Sequence, residues 1–65
     1  MRLYIKLTKP DGTHIFVNAD KISYIEHCEE GSIVNFQDGS DCKIFTEDPD
    51  TIMAMLGAEV VENQQ

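Results

Sequence analysis

The chain has 65 residues, of which 42% are hydrophobic, and carries a formal net charge of −7. A chain this short forms one small domain, whose core gives only roughly 3–5 kcal/mol unless a disulfide, a metal or a partner adds to it. The acidic charge disfavours direct binding to nucleic acid, which needs clustered Lys and Arg. We expect a single β-rich domain over residues 1–61 and a disordered tail over residues 62–65.

Hydropathy and cysteine content indicate the expected compartment. The apolar residues near Met1 alternate with Arg2, Tyr4 and Lys6, so they do not form the continuous apolar region of a signal peptide. No apolar run approaches the ~20 residues of a membrane span. We therefore expect a cytoplasmic protein whose two cysteines stay reduced, and we expect self-association to supply the missing stability.

The charge is distributed unevenly along the chain. Residues 1–25 carry four bases and two acids, a balance of +2, whereas residues 26–65 carry one base and ten acids, a balance of −9. An acidic surface of this kind keeps a small protein soluble. The asymmetry is also compatible with pairing between copies, in which a mildly basic edge meets an acidic one.

The first two elements are predicted to form a β-hairpin. Residues 3–8 alternate between apolar and polar side chains, the period of a half-buried strand. Residues 10–12, Pro-Asp-Gly, predict a turn, because proline presets φ and glycine accepts a positive φ. Residues 14–18 resume the alternation with Phe16 on the opposite face from its two apolar neighbours, which completes the hairpin pattern.

Three more strands are predicted after a corner. Residues 18–21, Asn-Ala-Asp-Lys, predict a corner or a single helical turn, because Asn and Asp side chains bond nearby backbone groups. Residues 22–28 predict the third strand, with Ile22 assigned to the corner but still pointing inward. Residues 32–37 and 42–46 predict the fourth and fifth strands. The Asp-Gly pair at 38–39 predicts a type I′ turn, which needs φ > 0 at both central positions.

A short helix is predicted near the end of the chain. Residues 48–50, Asp-Pro-Asp, predict its start, with a capping side chain, a proline in the first turn and an acid at the positive end of the dipole. Gly57 predicts its stop. Residues 58–61 predict either a sixth short strand or an extended arm. The apolar stripe of the helix is formed by Ile52, Met53, Leu56 and, at its margin, Met55.

These elements predict a mainly β, small α+β fold: a five- or six-stranded antiparallel meander with one short C-terminal helix. Several strands carry apolar residues on both faces, such as Ile15 and Phe16 or Ile33 and Val34. One short helix cannot cover two apolar faces. Either the sheet curls into a small barrel, or a second copy covers what remains.

The pattern of ligand-type residues gives no metal, cofactor or catalytic site. A structural zinc site usually draws on ligand pairs at short spacing, whereas adjacent residues of a strand point to opposite faces. That geometry also separates His27 from Cys28 as a nucleophile pair, and the acids lack the spacing of a calcium loop. We therefore expect no enzyme activity. The soft or borderline metal ligands are His14, His27, Cys28 and Cys42.

The aromatic residues are assigned to the core and to an interface. A stacking platform for single-stranded nucleic acid comes with a basic groove, and this chain is acidic. We expect a protein that self-associates and binds a protein partner. The alternative is an acidic inhibitor that mimics nucleic acid, of the kind some phages encode. The residues expected at the interface are Tyr4, Phe16, Tyr24, Met53 and Met55.

Four motifs follow one another in the chain: I-x-L-T at residues 5–8, a glycine turn, an apolar residue followed by Asn at 17–18, and I-x-x-I-E at 22–26. Together they resemble the FlbD/SwrD family of small flagellum-associated proteins. Asp-Gly at 38–39 and Phe-Thr-Glu at 45–47 fit the same layout, so the resemblance covers about two thirds of the chain. It implies a non-enzymatic accessory protein that acts through partner contacts and has a flagellar connection. The expected helix is shorter and richer in Met than the charged C-terminal helix of that family.

Overall fold

The structure is a computed structural model that describes residues 2–39 and 41–63. The predicted class is confirmed, since the described residues form antiparallel strands and one short C-terminal helix. The elements in chain order are β1 (Tyr4–Thr8), β2 (His14–Asn18), a 3-10 turn (Ala19–Lys21), β3 (Ile22–Cys28), β4 (Gly31–Phe36), β5 (Lys43–Phe45) and α1 (Pro49–Leu56).

The strands form two sheets, with β1 and β2 in one and β3, β4 and β5 in the other. Over the described ranges they do not close into a barrel, which was one of the two predicted outcomes. The 3-10 turn carries the chain from one sheet to the other. Asn18 caps this turn, because its side-chain oxygen accepts a hydrogen bond from the backbone N–H of Asp20 at 3.0 Å. The predicted corner is therefore confirmed.

The hairpin of β1 and β2 buries one face only. Ile5 lies opposite Val17 and Leu7 lies opposite Ile15, so the alternation places these side chains together on one face of the sheet. The first three are at most 6% exposed, whereas Phe16 on the other face is 68% exposed. The predicted hairpin and its facing are therefore confirmed.

The core lies between the two sheets and is completed by α1. A helix of eight residues is too short to be stable alone, so its burial against the sheets maintains it. Burying each large apolar side chain contributes about 1.5–3 kcal/mol. The buried hydrophobic residues are Ile5, Leu7 and Val17 of the hairpin, Val34 and Phe45 of the other sheet, and Ile52 of α1.

The ends of α1 lie where the sequence predicts them. An Asp48 carboxylate oxygen accepts a hydrogen bond from the Thr51 N–H at 2.8 Å, and Pro49 occupies the first helical turn. Gly57 ends the helix in the left-handed conformation with φ 68°. In the part of the chain that the structure describes, no helix is long and apolar enough to cross a membrane.

The predicted type I′ turn between β4 and β5 is wrong. Such a turn needs φ > 0 at Asp38 as well as at Gly39, and among the described residues every positive φ belongs to a glycine. Because β4 ends at Phe36 and β5 begins at Lys43, a longer connection of residues 37–42 joins them. Residue 40 of this connection lies outside the described residues.

A β-bulge explains the irregular alternation of β3. Ile22 belongs to the strand, where it lies opposite Phe36, and the register shifts between Ile22 and Tyr24. The extra residue of a bulge reverses the alternation of the residues that follow it. Ile22 and Ile25, three positions apart, therefore both pack against the core. The inward direction predicted for Ile22 is correct, although the residue lies in the strand and not in the corner.

The segment after α1 does not form a strand. Residues 58–63 lie outside the helices and strands, and Val61 is 89% exposed. The backbone N–H of Ala58 bonds to the carbonyl of Met53 at 3.2 Å, which ties the start of the segment to the helix end instead of to a sheet. Of the predicted tail, residues 64 and 65 lie outside the described residues.

Candidate interaction site

Glu47 connects the two sheets directly after β5. Its carboxylate accepts hydrogen bonds from the backbone N–H of Thr8 at 2.9 Å and from the Thr8 hydroxyl at 2.8 Å. Its backbone carbonyl accepts a bond of 2.6 Å from the Ser32 hydroxyl, and the N–H of Thr46 donates to the Thr8 carbonyl at 2.9 Å. We call this set of bonds the Glu47 link. It fixes the end of β1 against β4 and β5.

The hydrogen bonds of the Glu47 link favour the ionised carboxylate. Burial raises the pKa of Glu47, but the bonds from the N–H and hydroxyl of Thr8 outweigh it and hold the pKa below its ordinary value of 4.5. His14 nearby lowers this pKa further. The link is therefore stronger when Glu47 is charged.

We expect the free energy of unfolding to decrease as the pH falls below about 4.5. A carboxyl whose pKa is lower in the folded state stabilises the protein above its unfolded pKa, and this contribution is lost as the pH falls through the folded pKa. Glu47→Gln should reduce that decrease and cost about 1–2 kcal/mol at neutral pH, because it removes charge-assisted bonds. Urea unfolding measured from pH 7 to pH 3 checks this expectation.

We expect two other carboxyls to contribute to the pH dependence that remains in this variant. Hydrogen bonds from Thr13 and from Thr51 lower the pKa values of Asp11 and Asp48, respectively. The matched control is Glu62→Gln, which removes an exposed carboxylate outside the link. If Glu47→Gln and the control gave the same pH profile, the Glu47 link would not be the source of the effect.

Two of the predicted interface residues form a patch on the outer face of the hairpin. Tyr4 lies opposite Asn18 and Phe16 lies opposite Lys6, so the two aromatic rings are diagonal neighbours on one face. Tyr4 is 51% exposed and Phe16 is 68% exposed. We call this patch, formed by Tyr4, Lys6 and Phe16, the hairpin face.

An apolar groove of about 370 Å³ lies between β3 and α1. Its β3 wall consists of four consecutive residues, Ile22–Ile25. Tyr24 and Ile25 follow the bulge in this strand and point to opposite faces, so a groove lined by both reaches the edge of the strand. The α1 wall is formed by Pro49, Met53 and Leu56, whose spacings of four and three place them on one face of the helix.

The predicted interface is thus divided between two surfaces. Tyr24 and Met53 lie on facing walls of the groove, whereas Tyr4 and Phe16 lie on the hairpin face. Met55 is 37% exposed on α1 and does not line the groove. Sequence reasoning did not assign Pro49 and Leu56 to this surface, although their spacing from Met53 on one helix face was the available signal.

Both histidines lie near the Glu47 link. His14 lies opposite Thr8, which bonds to the Glu47 carboxylate, and His27 lies opposite Ser32, which bonds to the Glu47 carbonyl. Cys28 is half-buried at the end of β3, and Cys42 is exposed before β5. Within residues 2–39 and 41–63, no group of three or more His, Cys, Asp or Glu side chains is placed to hold a metal ion.

Comparisons of the chain with protein-family models, with curated proteins and with solved structures find no match. The resemblance to the FlbD/SwrD family over residues 5–47 therefore stays a prediction.

Proposed function

We propose that this protein is a non-enzymatic interaction module that self-associates and binds a protein partner. The observation that carries the proposal is the ratio of exposed to buried apolar side chains. Among the described residues, eight large hydrophobic side chains are exposed and only six hydrophobic residues are buried. Single exposed apolar residues are ordinary, but Tyr4 and Phe16 form a patch and Tyr24 lines a groove, which is typical of interaction surfaces.

We assign self-association to the hairpin face. Each copy carries a net charge of −7, so two copies repel one another over most of their surfaces. The positive balance of residues 1–25 makes the hairpin the region where this repulsion is weakest. Phe16 and Tyr4 supply the apolar contact there, since aromatic residues dominate the energetics of many interfaces.

We expect Phe16→Ala to weaken self-association by about tenfold or more, because losing a central aromatic contact costs about 1.4 kcal/mol or more. Light scattering coupled to size-exclusion chromatography, run over a series of protein concentrations, measures the change. The matched control is Tyr24→Ala, which removes an exposed aromatic residue from the groove and should leave self-association unchanged. A folded monomer at every concentration of the unmodified chain would contradict the proposal.

A second candidate function, mimicry of nucleic acid, is supported less well by the positions of the acidic residues. Glu29 and Glu30 lie in the turn between β3 and β4, whereas Asp38 and Asp41 lie in the connection between β4 and β5. These pairs are at opposite ends of the six-residue strand β4, roughly 20 Å apart. The two pairs therefore do not form the one continuous acidic row that would mimic nucleic acid, and this favours the interaction module. Salt-sensitive binding to a DNA-binding protein, lost when these four acids are neutralised, would favour mimicry over the interaction module.

A further inference from the structure

We propose that the protein partner binds by adding an extended, basic segment as a strand to the free edge of β3, with its apolar side chains in the groove. The inference rests on the proposed function, because it names where the partner binds and the chemistry that recognises it. Three observations carry it: the unpaired edge, the shape of the groove and the charges beside it.

The first observation is the free edge of β3. In the described part of the chain, β3 pairs with β4 on one side only and is the edge strand of its sheet. An edge strand presents unpaired N–H and C=O groups, and an added strand satisfies them. The bulge between Ile22 and Tyr24 interrupts the regular pattern, so a new strand would pair along residues 24–28.

The second observation is the position of the groove relative to that edge. Because the groove reaches this edge at Tyr24 and Ile25, a strand added along residues 24–28 begins beside it and directs side chains of that end into it. Its volume of about 370 Å³ is within the usual range of binding sites, roughly 300–1,000 Å³. Met53 on the α1 wall can adapt to different apolar side chains. The groove therefore selects a segment in which apolar residues alternate with residues that point away from the groove.

The third observation is the charge of the residues next in sequence to the groove lining, which specifies the residues of the segment that do not enter the groove. The charged residues next in sequence to a groove-lining residue comprise four acids and one base. Two more acids, Glu29 and Glu30, lie just beyond the other end of β3. Opposite charges on neighbouring strands stabilise the pairing, so Lys or Arg is expected between the apolar residues. The five charged neighbours are Asp20, Lys21, Glu26, Asp48 and Asp50.

The same charges disfavour a second copy as the occupant. The exposed valines of this chain, Val60 and Val61, have the strand propensity that such an edge accepts. They are flanked by Glu59 and Glu62, however, which would bring like charges against Glu26 and its neighbours. A basic segment of another protein fits the site better.

The test is a titration of the ¹⁵N-labelled full chain with three synthetic peptides, followed by NMR. The probe is a capped peptide of alternating Lys and Val. One control peptide alternates Glu and Val, and the other is the Lys-Val peptide with N-methyl groups on the backbone nitrogens of one edge. We expect saturable shifts along residues 22–28 and at Met53 and Leu56 with the probe. Both controls should bind at least about tenfold more weakly, since one lacks the charge and the other the hydrogen bonds.

A pair of charge reversals tests the role of Glu26. Glu26→Lys should weaken binding of the probe by about tenfold, whereas Glu62→Lys makes the same charge change outside the strands and the groove lining and should not alter it. Equal binding of the acidic or the N-methylated peptide, shifts centred on the hairpin face, or no shifts up to about 1 mM probe would overturn the proposal. Dilution-dependent shifts at β3 without peptide would identify a second copy as the occupant and overturn it too.

A different result would contradict the proposed function. If the unmodified chain did not self-associate, that part of the function would be overturned, and the peptide titration would be unaffected. Failure of the titration with self-association preserved would overturn only the assignment of β3 and its groove to a basic segment.

Discussion

Replacing Gly31 by alanine should unfold most of the protein at room temperature. Gly31 has φ +145°, and a Cβ added there would lie 2.5 Å from the carbonyl oxygen of Thr46 and closer still to that of Phe45. Both obstacles are backbone atoms, and Phe45 is fully buried, so the chain cannot move aside cheaply. We expect a cost of about 3–5 kcal/mol, comparable to the whole stability of a domain of this size.

Gly39→Ala is the matched control for this substitution. Gly39 also has a positive φ, +78°, but a Cβ there would meet no atom within 4 Å. Its expected cost is therefore only the conformational one, about 1–2 kcal/mol. Urea unfolding followed by circular dichroism compares the two variants. Equal midpoints would show that the approach of β5 to Gly31 does not constrain the fold.

Phe45→Ala should be the most destabilising change in the apolar core, at about 3–5 kcal/mol. Phe45 is the largest fully buried side chain among the described residues, and it lies opposite the buried Ser32. Removing its ring leaves a cavity beside β4 and removes apolar contacts that no neighbouring side chain replaces. Thermal unfolding of the variant, monitored by circular dichroism, measures the loss.

The same substitution at Phe16 provides the control for Phe45. Phe16 is 68% exposed, so Phe16→Ala should change stability by no more than about 0.5 kcal/mol. This variant should fold and self-associate more weakly, whereas Phe45→Ala should lose the fold. Similar melting temperatures for the two variants would contradict the assignment of Phe45 to the core and of Phe16 to an interface.

The local elements of this fold could be predicted from short sequence patterns. The alternation of residues 3–8 and 14–18 predicts the hairpin and its inner face, because a strand with one buried face imposes a period of two. The caps of α1 follow from Asp48 and Gly57, whose side chain and backbone freedom act within a single helical turn. Each of these features depends only on residues close in sequence.

The features that were missed depend on residues far apart in sequence. Thr8 and Glu47 are separated by 39 positions, and neither residue has a local pattern that marks their bond. The bulge in β3 was visible only as a broken alternation between Ile22 and Ile25. The sequence did not show which predicted interface residues lie on the hairpin face and which line the groove, because that depends on where α1 packs.

The Glu47 link also determines when the protein can fold during its synthesis. The hairpin of β1 and β2 closes over a few residues, but Thr8 cannot meet Glu47 until residue 47 has left the ribosome. Closing so long a loop is entropically costly, and it is compensated only when β5 and α1 arrive to bury the apolar face of the hairpin. The nascent chain therefore carries Ile5, Leu7 and Val17 uncovered while the segment from β3 to α1 is synthesised, the period in which a chaperone would find its substrate.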